Sequence, residues 1–346
     1  MNNDIIRVGF VGAGENTRLM HIPGFQAING VELVSVANRS YDSSKRISDK
    51  YNIPTIHSNW LELVEADDTD AICIGTWPYL HCPVTLKALE NNKHVLCEAR
   101  MAMDAAEART MLQASRQKPH LITQVVPSPH TLSVDATIQN LIATGYIGKV
   151  LSVDCNATES SFIDEQRPLH WREDIDLSGM NIMRMGIWYE VILRWLGPAS
   201  SVVAKSKVTV PQRKDVNGIL RSVQVPDIVD ILADLHCGAM ARLRFSTITG
   251  LGPDNAVWIF GTEGTLKLDP QTLKIYGAKR NNSELQEIEP SGSKHAGWRV
   301  EEEFINAIRG KEKVSRTTFE DGLKYMEFTE AVTRSAQSGK SINLPL

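Results

Sequence analysis

The sequence predicts an α/β plus α+β chain: a domain built on a parallel sheet over residues 1–126, then a domain with an open, mostly antiparallel sheet over residues 127–346. Three observations carry this. Up to residue 126, short apolar runs alternate with helix-like segments, the pattern of βαβ units. Beyond Pro127, strand-like runs follow one another without intervening helices. The 346 residues are about two domains' worth at roughly 150 residues each.

In the first domain, Ile5 to Val11 is an apolar run ending in glycines, and Val31 to Ala37 is β-branched and bounded by Gly30 and Asn38. Ala71 to Ile74, His94 to Cys97 and Leu121 to Val126 supply three more strands. Between them, one helix runs from Asp42 to Tyr51 and ends at Asn52. Another starts near His81, with Pro83 in its first turn. A third opens at Asp104, with Glu107 three residues on as a capping box, and reaches Gln117. In the second domain, a helix from Ser133 to Thr144 stops at Gly145, and another from Asn181 to Leu196 stops at Gly197-Pro198. Ile228 to His236 and Ala241 to Thr247 alternate apolar with polar residues around a hairpin at Gly238, as a sheet with one wet face does. Ala256 to Phe260 and Gly264 to Leu268 continue it, and helices near 299–308 and 320–338 close the chain.

Composition narrows the function. Hydrophobic residues are 42% and charged residues 23%, a globular rather than disordered balance. Lys+Arg 37 against Asp+Glu 41 leaves −4, which argues against a nucleic-acid footprint. No run of about 18 apolar residues is present to span a membrane, and Met1-Asn2-Asn3-Asp4 lacks the features of a leader. The five cysteines (Cys73, Cys82, Cys97, Cys155, Cys237) show no CxxC spacing. The reading is reduced thiols in a cytoplasmic protein, with no metal.

Chemistry enters at Gly9-Phe10-Val11-Gly12-Ala13-Gly14-Glu15-Asn16-Thr17, which follows the first strand and opens a helix. Gly12 permits a tight turn, Gly14 lets backbone approach a pyrophosphate, and the helix N-terminus supplies N–H donors. Thr17 stands where the fingerprint has its third glycine. A dinucleotide site is therefore expected at Gly12, Gly14, Glu15, Asn16 and Thr17. At the end of the second strand, where NAD sites place an acid, the chain has Asn38-Arg39-Ser40. With no carboxylate to repel a 2′-phosphate, NADP is favoured over NAD.

Four further segments carry a family resemblance. They are Gly75-Thr76-Trp77-Pro78-Tyr79-Leu80-His81, His94-Val95-Leu96-Cys97-Glu98-Ala99-Arg100, Gly145-Tyr146-Ile147-Gly148-Lys149-Val150 and Ser335-Ala336-Gln337-Ser338-Gly339-Lys340. Together they resemble the Gfo/Idh/MocA family, named after glucose-fructose oxidoreductase and inositol dehydrogenase. The resemblance implies a Rossmann domain, a substrate domain whose open sheet mediates homodimers or homotetramers, and hydride chemistry on sugars or polyols. It also implies cofactor contacts at Gly75, Thr76, Trp77, His81, Glu98 and Ala99, at Gln124, and at Trp171 and Arg172.

The chain departs from that family where proton transfer is concerned. The family's "EKP" lysine is Ala99 here and its proline is Arg100. Aligned on Gly186, the "D-x-G-x-H" motif becomes Arg184-Met185-Gly186-Ile187-Trp188. Neither Ala99 nor Trp188 can take a hydroxyl proton, and losing a positioned base costs typically 10²–10⁴ in rate. His170 and Tyr189 are the candidate replacements. His130, on the loop leaving the first domain, and Trp188 are candidate substrate contacts. Glu190 reads as a helix-surface charge. Arg100 and Arg184 in a pocket would grip a carboxylate or phosphate, so an acidic sugar is one expected substrate. Three functions stay open. One is an NAD(P)-dependent oxidoreductase with relocated acid–base groups. Another is a non-redox enzyme using bound NAD for transient oxidation in glycoside cleavage or elimination. The last is a nucleotide-binding protein without turnover.

Overall fold

The structure, a computed structural model, describes residues 5–252, 255–290 and 297–346; the opening residues 1–4, read above for a leader, lie outside them. The chain divides into two compact units, residues 1–127 with 299–323, and residues 128–298 with 324–346. The first unit runs β1 (Ile6–Val11), a π turn over Thr17–His21, α1 (Ile22–Gln26), β2 (Val31–Ala37), α2 (Tyr41–Tyr51), β3 (Thr55–Ile56), α3 (Trp60–Glu65), β4 (Ala71–Ile74), α4 (His81–Glu90), β5 (His94–Cys97), α5 (Ala105–Gln117) and β6 (Thr123–Val125). Its strands form one parallel sheet in the order β3-β2-β1-β4-β5-β6, the Rossmann order. The caps follow from the side chains. Ser40 accepts the Ser43 N–H ahead of α2, and Asn52 ends it in the left-handed region at φ 57°. Asp104 accepts the Glu107 N–H, while Glu107 reaches back to the Met103 N–H rather than to Asp104.

The second unit runs α6 (Asp135–Ala143), β7 (Val150–Thr158), α7 (Ile175–Ser178), α8 (Met183–Leu196), β8 (Ala199–Lys207), a small hairpin of β9 (Gln212–Lys214) and β10 (Leu220–Ser222), then β11 (Ile228–Leu235), β12 (Met240–Ser246), β13 (Ala256–Gly261), β14 (Gly264–Asp269), β15 (Lys274–Lys279) and β16 (Gln286–Ile288). Next come α9 (Val300–Ile308), α10 (Phe319–Ser338) and β17 (Ile342–Asn343), the last pairing with β8. Among the described residues the large sheet has nine strands in the order β16-β15-β14-β13-β7-β12-β11-β8-β17; β7 and β12 pair parallel and the other neighbours antiparallel. One face is core: Val229, Ile231, Ala233, Ala241, Leu243 and Phe245 are buried, and α8 packs against β7 and β12. On the other face Val203, Leu232 and Met240 stand exposed among Asp230, Arg242 and Arg244.

Two readings of the sequence change. The central strand β7 was not anticipated as a strand, although its burial alternates. Residues 127–346 are not one continuous domain either, because 299–323 belong to the first unit. The reason is packing: Phe304 of α9 meets Phe25 edge-on at 6.4 Å, and Glu303 accepts from Gln124 and Ser315.

Candidate active site

The glycine turn lies at the carboxyl end of β1, beside β4, where the strand order of the sheet reverses and ligands of such sheets bind. Gly12 has φ +81°, and a Cβ there would fall 2.6 Å from Thr76 Cγ2 and 2.9 Å from the Thr76 backbone nitrogen, so no side chain fits. The turn is pinned by its neighbours: Gly12 N–H donates to the Ala37 carbonyl at 2.8 Å, and Ala13 N–H to Asn38 Oδ1 at 2.6 Å. Thr17, in place of a third glycine, is buried, and the close approach is made by Gly75 instead. A Cβ on Gly75 would sit 2.1 Å from Thr17 Oγ1.

Polar atoms at this turn fit a dinucleotide. Asn38 Nδ2 and Thr76 Oγ1 are buried without a hydrogen-bond partner in the protein, an arrangement that calls for a bound group. The exposed Arg39 guanidinium lies 5.6 Å from the centroid of the Trp77 ring. Glu15 is exposed at the helix start, and Ser40 is engaged as the α2 cap.

Beside the turn is a buried ionic cluster that sequence reading only half found. Asn16 Nδ2 and Ala99 N–H donate to the Glu98 carboxylate, and His21 Nε2 lies 3.0 Å from Glu98 Oε1. On its other side His21 Nδ1 meets Glu301 Oε1 of α9. Gly24 makes room: its Cβ would strike the Glu301 carboxyl carbon at 2.7 Å. Burial alone would strip the proton from His21, but the hydrogen bonds to Glu301 and Glu98 win and raise its pKa from 6.5 to about 9. Burial would raise the Glu98 pKa, and the charged His21 holds it below its usual value. His21 stands four residues beyond Thr17, a helical spacing that could have flagged it. Glu301 lies 280 positions from His21, and no local pattern marks it.

Three expected site residues of this unit turn inward. His81 is fully buried between the Arg100 and Thr76 carbonyls at 2.8 and 3.1 Å, and burial lowers its pKa, so it ties two loops together. Gln124 is buried and donates to Glu303 at 2.9 Å and to the Arg316 carbonyl; the cofactor role expected of it is corrected to a structural one. Arg100 is 2% exposed, so it does not present a guanidinium to an anionic substrate.

The second unit has its own cavity of about 680 Å³, ample for a sugar-sized ligand. It is lined by α8, by the end of β12 and by the segment between β7 and α8. His130, His170, Arg184 and Trp188 line it, and so does Arg172, which the sequence reading placed among the cofactor contacts. His130 stacks on Trp188 with centroids 5.6 Å apart and planes 15° from parallel. His170 Nδ1 accepts the Arg172 N–H at 3.2 Å as an N-cap, and burial, with Arg172 nearby, lowers its pKa. Trp171 and Arg172 belong to this unit, with the Arg172 guanidinium 4.5 Å from the Trp171 ring centroid. Two of the lining arginines are paired: Arg184 donates to Glu159 at 2.7 Å and Arg167 grips Glu173 at 2.6 and 2.8 Å.

Two readings on α8 are corrected. Tyr189 does not line the cavity. It is 1% exposed and stacked on Phe328. Its hydroxyl accepts the Ala199 N–H at 2.9 Å, and burial drives its pKa up, away from any role as a base. Glu190 is not a surface charge; it is buried, pairs with Arg194 at 3.1 Å and accepts the Ser128 N–H at 2.8 Å.

A Rossmann sheet with a glycine turn shaped for a dinucleotide, followed by a mixed-sheet unit with its own cavity, defines a class: nucleotide-dependent oxidoreductases of two-domain build. The description "Oxidoreductase family, NAD-binding Rossmann fold" matches residues 6–125, and "GFO/IDH/MocA C-terminal domain" matches residues 136–267. The chain belongs to the Gfo/Idh/MocA family and is an NAD(P)-dependent oxidoreductase. Trans-1,2-dihydrobenzene-1,2-diol dehydrogenase of Mus musculus is similar at 22% identity over 280 residues, 80% of this chain and 78% of the relative. The solved structure of levoglucosan dehydrogenase with NADH and L-sorbose has a TM-score of 0.86 at 20% identity, covering 98% of this chain and 99% of that one. An oxidoreductase domain protein from Kribbella flavida has a TM-score of 0.85 at 21% identity, covering 99% and 100%. At these identities the two structures speak for the fold. No helix among the described residues is long and apolar enough to cross a membrane.

Proposed function

We propose that this protein transfers hydride between NADP and a neutral carbohydrate-like alcohol. The observation that carries the reading is the cavity of the second unit. Its lining includes four arginines (Arg167, Arg172, Arg184, Arg213) and four carboxylates (Glu159, Asp164, Glu173, Asp227), so these formal charges balance. With Arg184 paired and Arg100 enclosed, the two residues that favoured an acidic sugar do not supply an unmatched charge, and a polyhydroxyl ligand suits the alternating donors and acceptors better. The stacked His130 and Trp188 offer a flat face for sugar C–H groups. A relative structure that carries NADH and L-sorbose supports the substrate class.

When bound, the nicotinamide accepts or gives hydride. The chain's own part in the first unit is to hold the pyrophosphate at the Gly12–Gly14 amides and the ribose at Asn38, Arg39 and Ser40. Arg39 is the residue that would read a 2′-phosphate. The Arg39→Asp variant is expected to bind NADP at least tenfold more weakly while NAD binding is kept or improved, measured by calorimetry with both cofactors. Tenfold tighter binding of NAD than NADP by the unaltered protein overturns the preference. A panel of sugars and polyols, followed by reduced-cofactor absorbance, tests the substrate class.

We further propose a homodimer or homotetramer formed through the open face of the large sheet, where Leu232 and Met240 are 50% and 52% exposed. Leu232→Glu is expected to lower the mass seen by light scattering. An unchanged mass sinks that surface as the interface.

A further inference from the structure

We propose that His170 determines substrate specificity: its Nε2–H is a fixed, uncharged donor that holds a hydroxyl or carbonyl oxygen of the substrate in the second-unit cavity. The inference rests on the reading of that cavity as the alcohol site.

A neutral imidazole has two ring nitrogens and one proton, and the partner of one nitrogen decides where the proton sits. His170 Nδ1 lies 3.2 Å from the Arg172 backbone nitrogen, whose N–H can only donate. Nδ1 is therefore the acceptor, and the proton of the neutral ring is on Nε2. This corrects the expectation that His170 serves as a base. Nδ1 has spent its lone pair on the turn, and Nε2 bears the proton, so the capped ring presents a donor. The exposed side chain lines the cavity, and none of the described residues accepts from Nε2.

The ring also stays uncharged. A second proton would land on Nδ1 and set two N–H groups against each other. Burial and then the Arg172 guanidinium lower the His170 pKa and outweigh Glu173, so the ring is neutral at pH 7. His170 thus differs from the arginines around it. It gives a hydrogen bond without bringing a charge, which suits the oxygen of a neutral sugar.

The donor is held in place from several sides. The His170 backbone N–H donates to Glu173 Oε2 at 3.2 Å, the reciprocal half of a capping box, and Glu173 is gripped by both Arg167 nitrogens at 2.6 and 2.8 Å. One residue earlier, the Leu169 N–H donates to the Lys214 carbonyl of β9 at 2.8 Å. The buried Arg213 of the same strand donates to the Asp164 and Arg167 carbonyls at 2.7 and 3.2 Å. The ring itself lies 5.7 Å from Trp171, tilted by 33°. A donor fixed in advance loses little freedom on binding, and it is left unpaired by a ligand that lacks the matching oxygen.

The two ring nitrogens can be tested apart. An Asn side chain puts its amide oxygen where Nδ1 lies and keeps the cap. A Gln side chain puts its amide nitrogen near Nε2 and keeps the far donor. The full chain with saturating NAD(P) is assayed on D-glucose, D-xylose, L-sorbose, sorbitol and myo-inositol, and the fastest of these carries the kinetics. His170→Asn is expected to raise KM about tenfold with kcat little changed and the melting temperature kept. His170→Gln is expected to recover most of that affinity. One single-deoxy analogue of the substrate should show about tenfold higher KM than its parent with the unaltered protein, and the same KM as its parent with His170→Asn. A role confined to the turn would reverse the order, with the Asn variant normal and the Gln variant impaired. A His170→Asn enzyme with KM within twofold of the unaltered protein, or a His170→Gln enzyme no better than His170→Asn, overturns the proposal while leaving the substrate reading in place. No reduced cofactor from the unaltered protein with any of the five overturns the substrate reading, and this proposal with it.

Discussion

Replacing His21 with Leu is expected to lower the stability of the first unit by about 3–5 kcal/mol, the usual cost of breaking a buried ionic group by removing one partner. The variant would leave Glu301 and Glu98, whose side chains are 4% and 14% exposed, sharing a space that held a cation. Urea unfolding at pH 7 measures the loss. The surface pair Arg7–Asp70, about two-fifths exposed, is the control: Arg7→Leu should cost no more than about 1 kcal/mol. The pH dependence gives a second readout. Folding raises the His21 pKa from 6.5 to about 9, so the native state binds the proton more tightly. The stabilisation is complete below pH 6.5 and is lost as pH rises through about 9. His21→Leu should lack that decline. A variant within 1 kcal/mol of the unaltered protein, or one with the same slope between pH 6.5 and 9, contradicts the cluster's role.

Changing Gly12 to Ala is expected to weaken NAD(P) binding about a hundredfold, ~2.8 kcal/mol. The new methyl would meet a backbone nitrogen and a short, stiff side chain at 2.9 and 2.6 Å, at a residue with φ +81°. The turn must therefore open, and the amides that face the pyrophosphate move with it. Gly14→Ala should be milder, because its Cβ meets only the Gly75 carbonyl, at 3.2 Å, and its φ lies outside the left-handed region. Calorimetry on both variants checks the ranking. Binding by Gly12→Ala within threefold of the starting affinity removes the turn from the cofactor site.

Much of this was legible because it is local. The strands Val31–Ala37, Ala71–Ile74 and His94–Cys97 coincide with their apolar runs, and the α2 and α5 caps follow from Ser40 and Asp104. Gly12 and Asn38 declare themselves through spacing from the first two strands. What stayed hidden depends on long-range approach. Nothing near Glu301 says that it meets His21, and Tyr189 looks available until Phe328 and the Ala199 amide are brought against it. Glu190 reads as solvated because the charge pattern of α8 does not show that Arg194 and Ser128 close around it. The strand β7 escaped because its polar positions, Asp154 and Asn156, mimic loop chemistry while Val153 and Cys155 fill the core.

The return of residues 299–323 to the first unit sets a schedule for biosynthesis. At roughly 5–20 residues per second, the ribosome makes almost all of the second unit before it supplies α9. Throughout that interval the nascent Rossmann sheet waits with Phe25 and His21 lacking the partners that Phe304 and Glu301 supply, an early segment that only late translation can complete.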